Sequence, residues 1–134
     1  MRVFLDANVL FTAAHNPHGK EAFVIELGAA GHFSLSTSDA ALMEAEHNLA
    51  VKHPHSPAFL EALMNNITLV AADLSAAFPE GLPLRDGVIF QAARSCHATH
   101  FLTGDLRHFG PFMNRTDATF SITIQTVAQF LSAM

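Results

Sequence analysis

Tryptophan and tyrosine are absent from this chain, cysteine occurs once, and only 7 of its 134 residues are lysine or arginine. Each shortage excludes a class of protein. A lone Cys96 cannot build a disulfide framework and fits a reducing compartment. Seven basic residues against 12 acidic ones leave a formal charge of −5, so no global basic field draws the chain to a nucleic acid. No apolar run reaches the ~18 residues of a membrane span, and Asp6 interrupts the N-terminus too early for a secretory signal. The expectation is a soluble, cytoplasmic protein with no membrane partner. What the chain does have is apolar surface: half of its residues are hydrophobic and 12 are phenylalanine. That is enough for one compact core, which excludes disorder and argues for one domain over 1–134 rather than two. The acidic balance still permits a nucleic-acid enzyme, because four acids gathered around divalent cations would leave the remainder nearly neutral.

Apolar runs and helical stripes alternate along the chain. Val3-Phe4-Leu5 is a short β-prone run ending in Asp6-Ala7-Asn8, which predicts a central buried strand opening into a polar turn. After the loop His15-Asn16-Pro17-His18-Gly19, helix-like spacing from Lys20 to Ala30 is closed by Gly31, and a strand over Phe33–Ser36 follows. Ser36-Thr37-Ser38-Asp39 supplies helix-start chemistry for a helix over Ala40–Val51. A second is expected from about Pro57 to Asn65, then a strand at Ile67–Val70. Pro79, Gly81 and Pro83 break up Asp73–Leu84, read as a short helix and loop. Asp86–His97 predicts a helix with Asp86 at its start, followed by a strand at His100–Thr103 with Gly104-Asp105 at its end. A strand around Ser121–Ile124 and a helix over Thr126–Ser132 complete a pattern that implies an α/β fold with a parallel sheet of four or five strands covered on both faces.

In such a sheet functional groups collect at the carboxyl ends of the strands, where Asp6 and Asp105 both stand. Asp86 opens a helix that faces the same edge if that helix feeds the next strand. Bare carboxylates at one edge would repel one another, so the cluster makes physical sense mainly around a hard divalent cation. Oxygen ligation favours Mg²⁺ or Mn²⁺ over zinc. Nine histidines include Cys96-His97 with His100 and His53 with His55, but these spacings match no closed structural zinc set.

Four fragments in order resemble the PIN-domain nucleases, which include VapC-type toxins. They are Val3-Phe4-Leu5-Asp6-Ala7-Asn8-Val9-Leu10, Leu42-Met43-Glu44-Ala45-Glu46-His47-Asn48-Leu49, Leu84-Arg85-Asp86-Gly87-Val88-Ile89 and Phe101-Leu102-Thr103-Gly104-Asp105. The resemblance spans essentially the whole chain and implies a three-layer PIN-like domain. It implies that Asp6, Glu44, Asp86 and Asp105 are the catalytic, metal-binding carboxylates, with Asn8 and Thr103 as polar support. Helical periodicity alone leaves Glu44 and Glu46 on opposite borders of one buried face, and the family pattern selects Glu44. The implied activity is Mg²⁺- or Mn²⁺-dependent hydrolysis of RNA, which requires no nucleophilic side chain. A protein antitoxin and a homodimer are the implied partners. One departure bears on a second metal position: many PIN domains carry a further acid shortly after the Thr-Gly-Asp turn, where this chain has Leu106-Arg107-His108-Phe109.

Arg85, Arg94, Arg107, His108, Arg115 and the loop around His15, His18 and Lys20 are candidate phosphate contacts at the rim, with Arg85, Arg107 and His108 foremost. Phe11 and Phe109 are candidate base-stacking residues. Taken singly, Asp86 and Asp105 read more simply as helix caps. The rival reading of the whole is a non-catalytic PIN-like protein-interaction module. A phosphoacceptor receiver is disfavoured, since Asp6 has no paired acid and Lys52 is the last lysine, and a haloacid-dehalogenase-type phosphatase lacks its second aspartate after Asp6.

Overall fold

Three consecutive apolar residues with no exposed surface suit a strand covered on both faces, and Val3, Phe4 and Leu5 are such a run. In the computed structural model, which describes residues 1–134, they form the middle of β1 (Arg2–Leu5). The other strands are β2 (Ser34–Ser38), β3 (Thr68–Val70), β4 (His100–Leu102) and β5 (Thr123–Gln125). All five pair in parallel in the order β3-β2-β1-β4-β5, which makes β1 central as the sequence implies. Seven helices cover the sheet: α1 (Ala7–His15), α2 (Lys20–Ala29), α3 (Asp39–Lys52), α4 (Pro57–Leu63), α5 (Leu84–Ser95), α6 (Leu106–Phe109) and α7 (Val127–Ser132). None is long and apolar enough to cross a membrane.

The alternation of side chains along each strand divides the core into two layers. Val3, Leu5 and Leu102 point to the face covered by α1, α2, α4 and α7, where Leu10, Ile25, Leu60 and Phe130 pack. Phe4 and Phe101 point to the opposite face, under α5 and α6. There Phe101 is the hub of an aromatic cluster, with ring centroids 5.4 Å from Phe4, 4.8 Å from Phe109 and 5.8 Å from Phe90. Six of the 12 phenylalanines are buried in these two layers.

Three expectations are corrected. Asp6-Ala7-Asn8 is not a polar turn: Asp6 keeps an extended backbone and its Oδ1 accepts the Ala7 N–H at 2.8 Å, so the chain passes directly from β1 into α1. Val9, Leu10, Ala13 and Ala14 form the buried stripe that holds this helix down. The segment between Asp73 and Leu84 contains no helix. Its backbone carbonyls at Leu74, Ala76 and Ala77 are instead held by side chains of α5, Gln91 and Arg94. Finally, α5 starts at Leu84, so Asp86 lies inside its first turn and makes no capping hydrogen bond. The short α6 and the extension of β2 to Ser38 were not legible, because four residues are too few to show a helical period.

The Phe101 ring has no exposed surface and touches three other aromatics. Phe101→Ala is expected to lower the unfolding free energy by about 3–5 kcal/mol in a denaturant titration, with Phe101→Leu costing less than half of that.

Candidate functional site

The register of β1 on β4 builds the site. Leu5 lies opposite Leu102, so the next residues, Asp6 and Thr103, stand side by side as the strands end. The Thr103 hydroxyl donates to Asp6 Oδ2 at 2.7 Å and accepts the Asp105 N–H at 3.0 Å and Asn8 Nδ2 at 3.1 Å. Asn8 Nδ2 also reaches Asp6 Oδ2 at 3.1 Å, while Asn8 Oδ1 accepts the Gly104 N–H at 2.6 Å. Asn8 and Thr103 thus tie the start of α1 to the turn after β4 and hold one carboxylate between them. That carboxylate is nearly inaccessible, at 3% exposure. Burial pushes the Asp6 carboxyl up to about 6, with Glu44 and Asp86 adding to the rise, against the lowering effect of the Thr103 and Ala7 hydrogen bonds.

Asp86, from the first turn of α5, and Asp105, from the turn after β4, meet across one imidazole. His108 Nδ1 is 2.7 Å from Asp105 Oδ2 and 3.4 Å from Asp86 Oδ2. One donor atom from each of the three lies within 4.8 Å of the others, a spacing that one ion could bridge. The two acids respond differently. Burial raises the Asp86 carboxyl, and Asp105 adds to the rise. Burial acts to raise Asp105 as well, but hydrogen bonds from the His108 backbone and ring outweigh it and hold that carboxyl below the usual range. Asp105 does cap α6, through Oδ1 and the His108 N–H at 3.1 Å, so its capping and its place in the cluster coexist.

Glu44 faces this edge and Glu46 does not. Glu44 Oε1 is 2.8 Å from Arg85 of α5, and its charge is felt by Asp6. Glu46 is exposed and lines the groove between α3 and α4 with Leu42, Pro57 and Leu60. Arg85 remains largely exposed beyond its ion pair, and Arg107, on α6 next to His108, is exposed as well. His108, expected at the rim, turns inward to the acids. Phe109 is fully buried in the aromatic cluster and is not available to stack a base. Phe11 is half-buried among His15, His53 and Lys52. Arg94 lies at the other end of the sheet, over the Phe120 ring at 4.0 Å, and Arg115 contacts Pro111 and Asp117.

Two clefts lie at opposite ends of the strands. One of about 400 Å³ adjoins the acids and is lined by Asn8, Thr103, Gly104, Leu106 and Thr126. A larger one of about 510 Å³ opens at the amino ends, beside Arg2, Arg94 and Phe120. The inward turn of His108 is the feature missed by sequence reasoning, although its position three residues after Asp105 carried the signal, since i and i+3 share a helix face.

The raised Asp6 carboxyl makes stability pH-dependent. Between the unfolded value of 3.8 and the folded value of about 6, the native protein keeps a proton that the unfolded chain has released. This contribution therefore falls as pH rises through that window. Relative to Asp6→Asn, the parent is expected to gain up to about 3 kcal/mol of unfolding free energy as pH drops from 7 to 4, read from paired denaturation curves.

No family model matches this sequence, and no curated protein matches it. Solved structures do share its fold. The chain is similar to a chain of VapBC2 from Rickettsia felis, a complex bound to a DNA fragment from its promoter, with a TM-score of 0.68 over 94% of this chain and 98% of that one at 15% identity. It is also similar to a chain of VapBC-1 from nontypeable Haemophilus influenzae, with a TM-score of 0.58 over 96% and 99% of the two chains at 15% identity. The five-stranded parallel architecture is the PIN-like fold that the four sequence fragments resemble.

Proposed function

We propose that this chain is a divalent-metal-dependent endoribonuclease that hydrolyses RNA phosphodiester bonds, acting as the cytoplasmic toxin of a type II toxin–antitoxin pair. The observation that carries the proposal is the gathering of Asp6, Glu44, Asp86 and Asp105, from four separate elements, at one sheet edge where their charges oppose one another. Folding alone gains little from such a gathering, and a cation repays it.

The donor set fits Mg²⁺ or Mn²⁺. It is mostly carboxylate oxygen, and Asp6 Oδ1 has only the Ala7 N–H as partner in the fold. When bound, such an ion polarises the scissile phosphate and lowers the pKa of an attacking water. The chain's own residues supply the rest. Thr103 and Asn8 hold Asp6 in one orientation from behind, the role of outer-shell partners at metal sites. Arg85 and Arg107 stand exposed at the rim, where phosphate contacts would position a strand without reading its bases. The cleft of about 400 Å³ beside Thr103 and Leu106 offers space for a flanking nucleotide. The likeness to chains of VapBC complexes supports a protein antitoxin as partner, and a homodimer of single-domain chains accompanies this reading.

A second reading is a non-catalytic PIN-like interaction module. It is favoured by one observation: Arg85 already sits on Glu44 as an ion pair, and the His108 ring already occupies the space between Asp105 and Asp86. Metal binding separates the two. Titration calorimetry with Mn²⁺ is expected to show saturable binding in the parent that Asp6→Asn and Asp105→Asn both lose. Metal-dependent cleavage of single-stranded RNA should disappear in those variants and in Asp86→Asn. Parent protein that is folded but binds no Mn²⁺ would favour the interaction module. Thr103→Val, which keeps the shape and deletes the hydroxyl, is expected to weaken Mn²⁺ binding by about 10–100-fold.

A further inference from the structure

Every member of the acidic set except Asp6 has a nitrogen-bearing side chain against it, and the two differ in kind. Arg85, on Glu44, keeps its protons at any ordinary pH and cannot ligate a metal. His108, between Asp105 and Asp86, offers a ring nitrogen that ligates a metal once its proton leaves. The ring is aimed by the fold. Its backbone N–H is fixed on Asp105 Oδ1 at 3.1 Å, and the next residue, Phe109, is anchored without exposure against Phe101. With the backbone pinned on both sides, Nδ1 points between the two carboxylates rather than outward with Arg107.

We infer that His108 Nδ1 is itself a metal ligand, making Asp86, Asp105 and His108 a mixed nitrogen–oxygen site that prefers Mn²⁺ to Mg²⁺. The inference rests on the metal-dependent reading above and specifies which ion that site selects. Mg²⁺ is a hard ion that holds its waters and takes oxygen donors, so replacing an oxygen by an imidazole nitrogen weakens its case. Mn²⁺ also suits oxygen, but as a first-row transition ion it accepts one imidazole nitrogen more readily than Mg²⁺ does. Nδ1 ligates through its lone pair, so in the occupied site Nδ1 carries no proton and any ring proton sits on Nε2. The separation of 2.7 Å between Nδ1 and Asp105 Oδ2 is a hydrogen-bond length, and the two atoms would part slightly to share an ion.

Pulsed electron paramagnetic resonance on the Mn²⁺-loaded protein reads the bond directly. The expected result is a ¹⁴N coupling in the parent that is absent in His108→Ala and in His108→Asp. In calorimetry, His108→Ala should weaken Mn²⁺ binding by about 10–100-fold while moving Mg²⁺ binding less, and His108→Asp, which supplies oxygen again, should narrow the preference for Mn²⁺. Thermal unfolding of each variant verifies that the fold is retained. Bound Mn²⁺ without ¹⁴N coupling, or a Mn²⁺/Mg²⁺ ratio unchanged in His108→Ala, overturns the assignment and leaves the carboxylate site standing. A parent that binds no Mn²⁺, or binding indifferent to Asp105→Asn, overturns both.

Discussion

A carboxylate buried at the end of the central strand is the constraint around which this molecule is arranged. Asp6 follows three residues with no exposed surface and cannot withdraw to water without dragging β1 with it. Its charge must therefore be met where it stands, and the register of β1 against β4 brings the Thr103 hydroxyl to it at 2.7 Å. Because the same hydroxyl accepts from Asn8 and from the Asp105 backbone, a single side chain couples α1, β4 and the turn that carries the third aspartate. Burial still outweighs these hydrogen bonds, which leaves Asp6 a carboxyl that ionises reluctantly unless a cation joins it.

The neighbouring acids show how position divides one chemistry into two. Asp86 and Asp105 are the same residue type beside the same imidazole, yet one carboxyl is pushed up and the other held down. The difference lies in hydrogen bonding. Asp105 receives both the backbone and the ring of His108, whereas Asp86 has the ring only at 3.4 Å and makes no helix-capping bond. Titratable pairs pushed apart in this way are characteristic of sites where proton or metal chemistry takes place.

Rigidity comes from the layer beneath. Phe4, Phe90, Phe101 and Phe109 form one aromatic cluster under α5 and α6, so the two elements carrying Asp86 and His108 are seated on the same rings. A site whose supporting side chains are locked by packing keeps its donors in place. The cleft at the carboxyl ends is the smaller of the two and is lined by Asn8 and Thr103, which hold Asp6, whereas the larger, at the amino ends, is lined by Arg2 and Arg94. Location at the carboxyl ends, not size, marks the functional edge of a parallel sheet.

The alternation of strands and helices, the central place of β1 and the parallel sense of the sheet were legible in the sequence, because unbroken apolar runs such as Val3-Phe4-Leu5 and Phe101-Leu102 report burial on both faces. Asp6 and Asp105 were legible too, as polar residues standing where those runs end, and Asp86 as the acid at the start of a helix, whereas Glu44 came only from the family resemblance. Helix α1 was not, since the polar Asp6 and Asn8 around its start read as a turn until the cap on Ala7 is seen. Nor could periodicity choose Glu44 over Glu46, which border the same face; packing against α5 and α4 made the choice. The pairing of His108 with Asp105 is a local i,i+3 contact, but its meeting with Asp86 was decided by tertiary structure. Its ring direction depends on Phe109 being buried under β4 and on Asp86 arriving from another helix, and contacts between distant segments leave no local pattern in the chain.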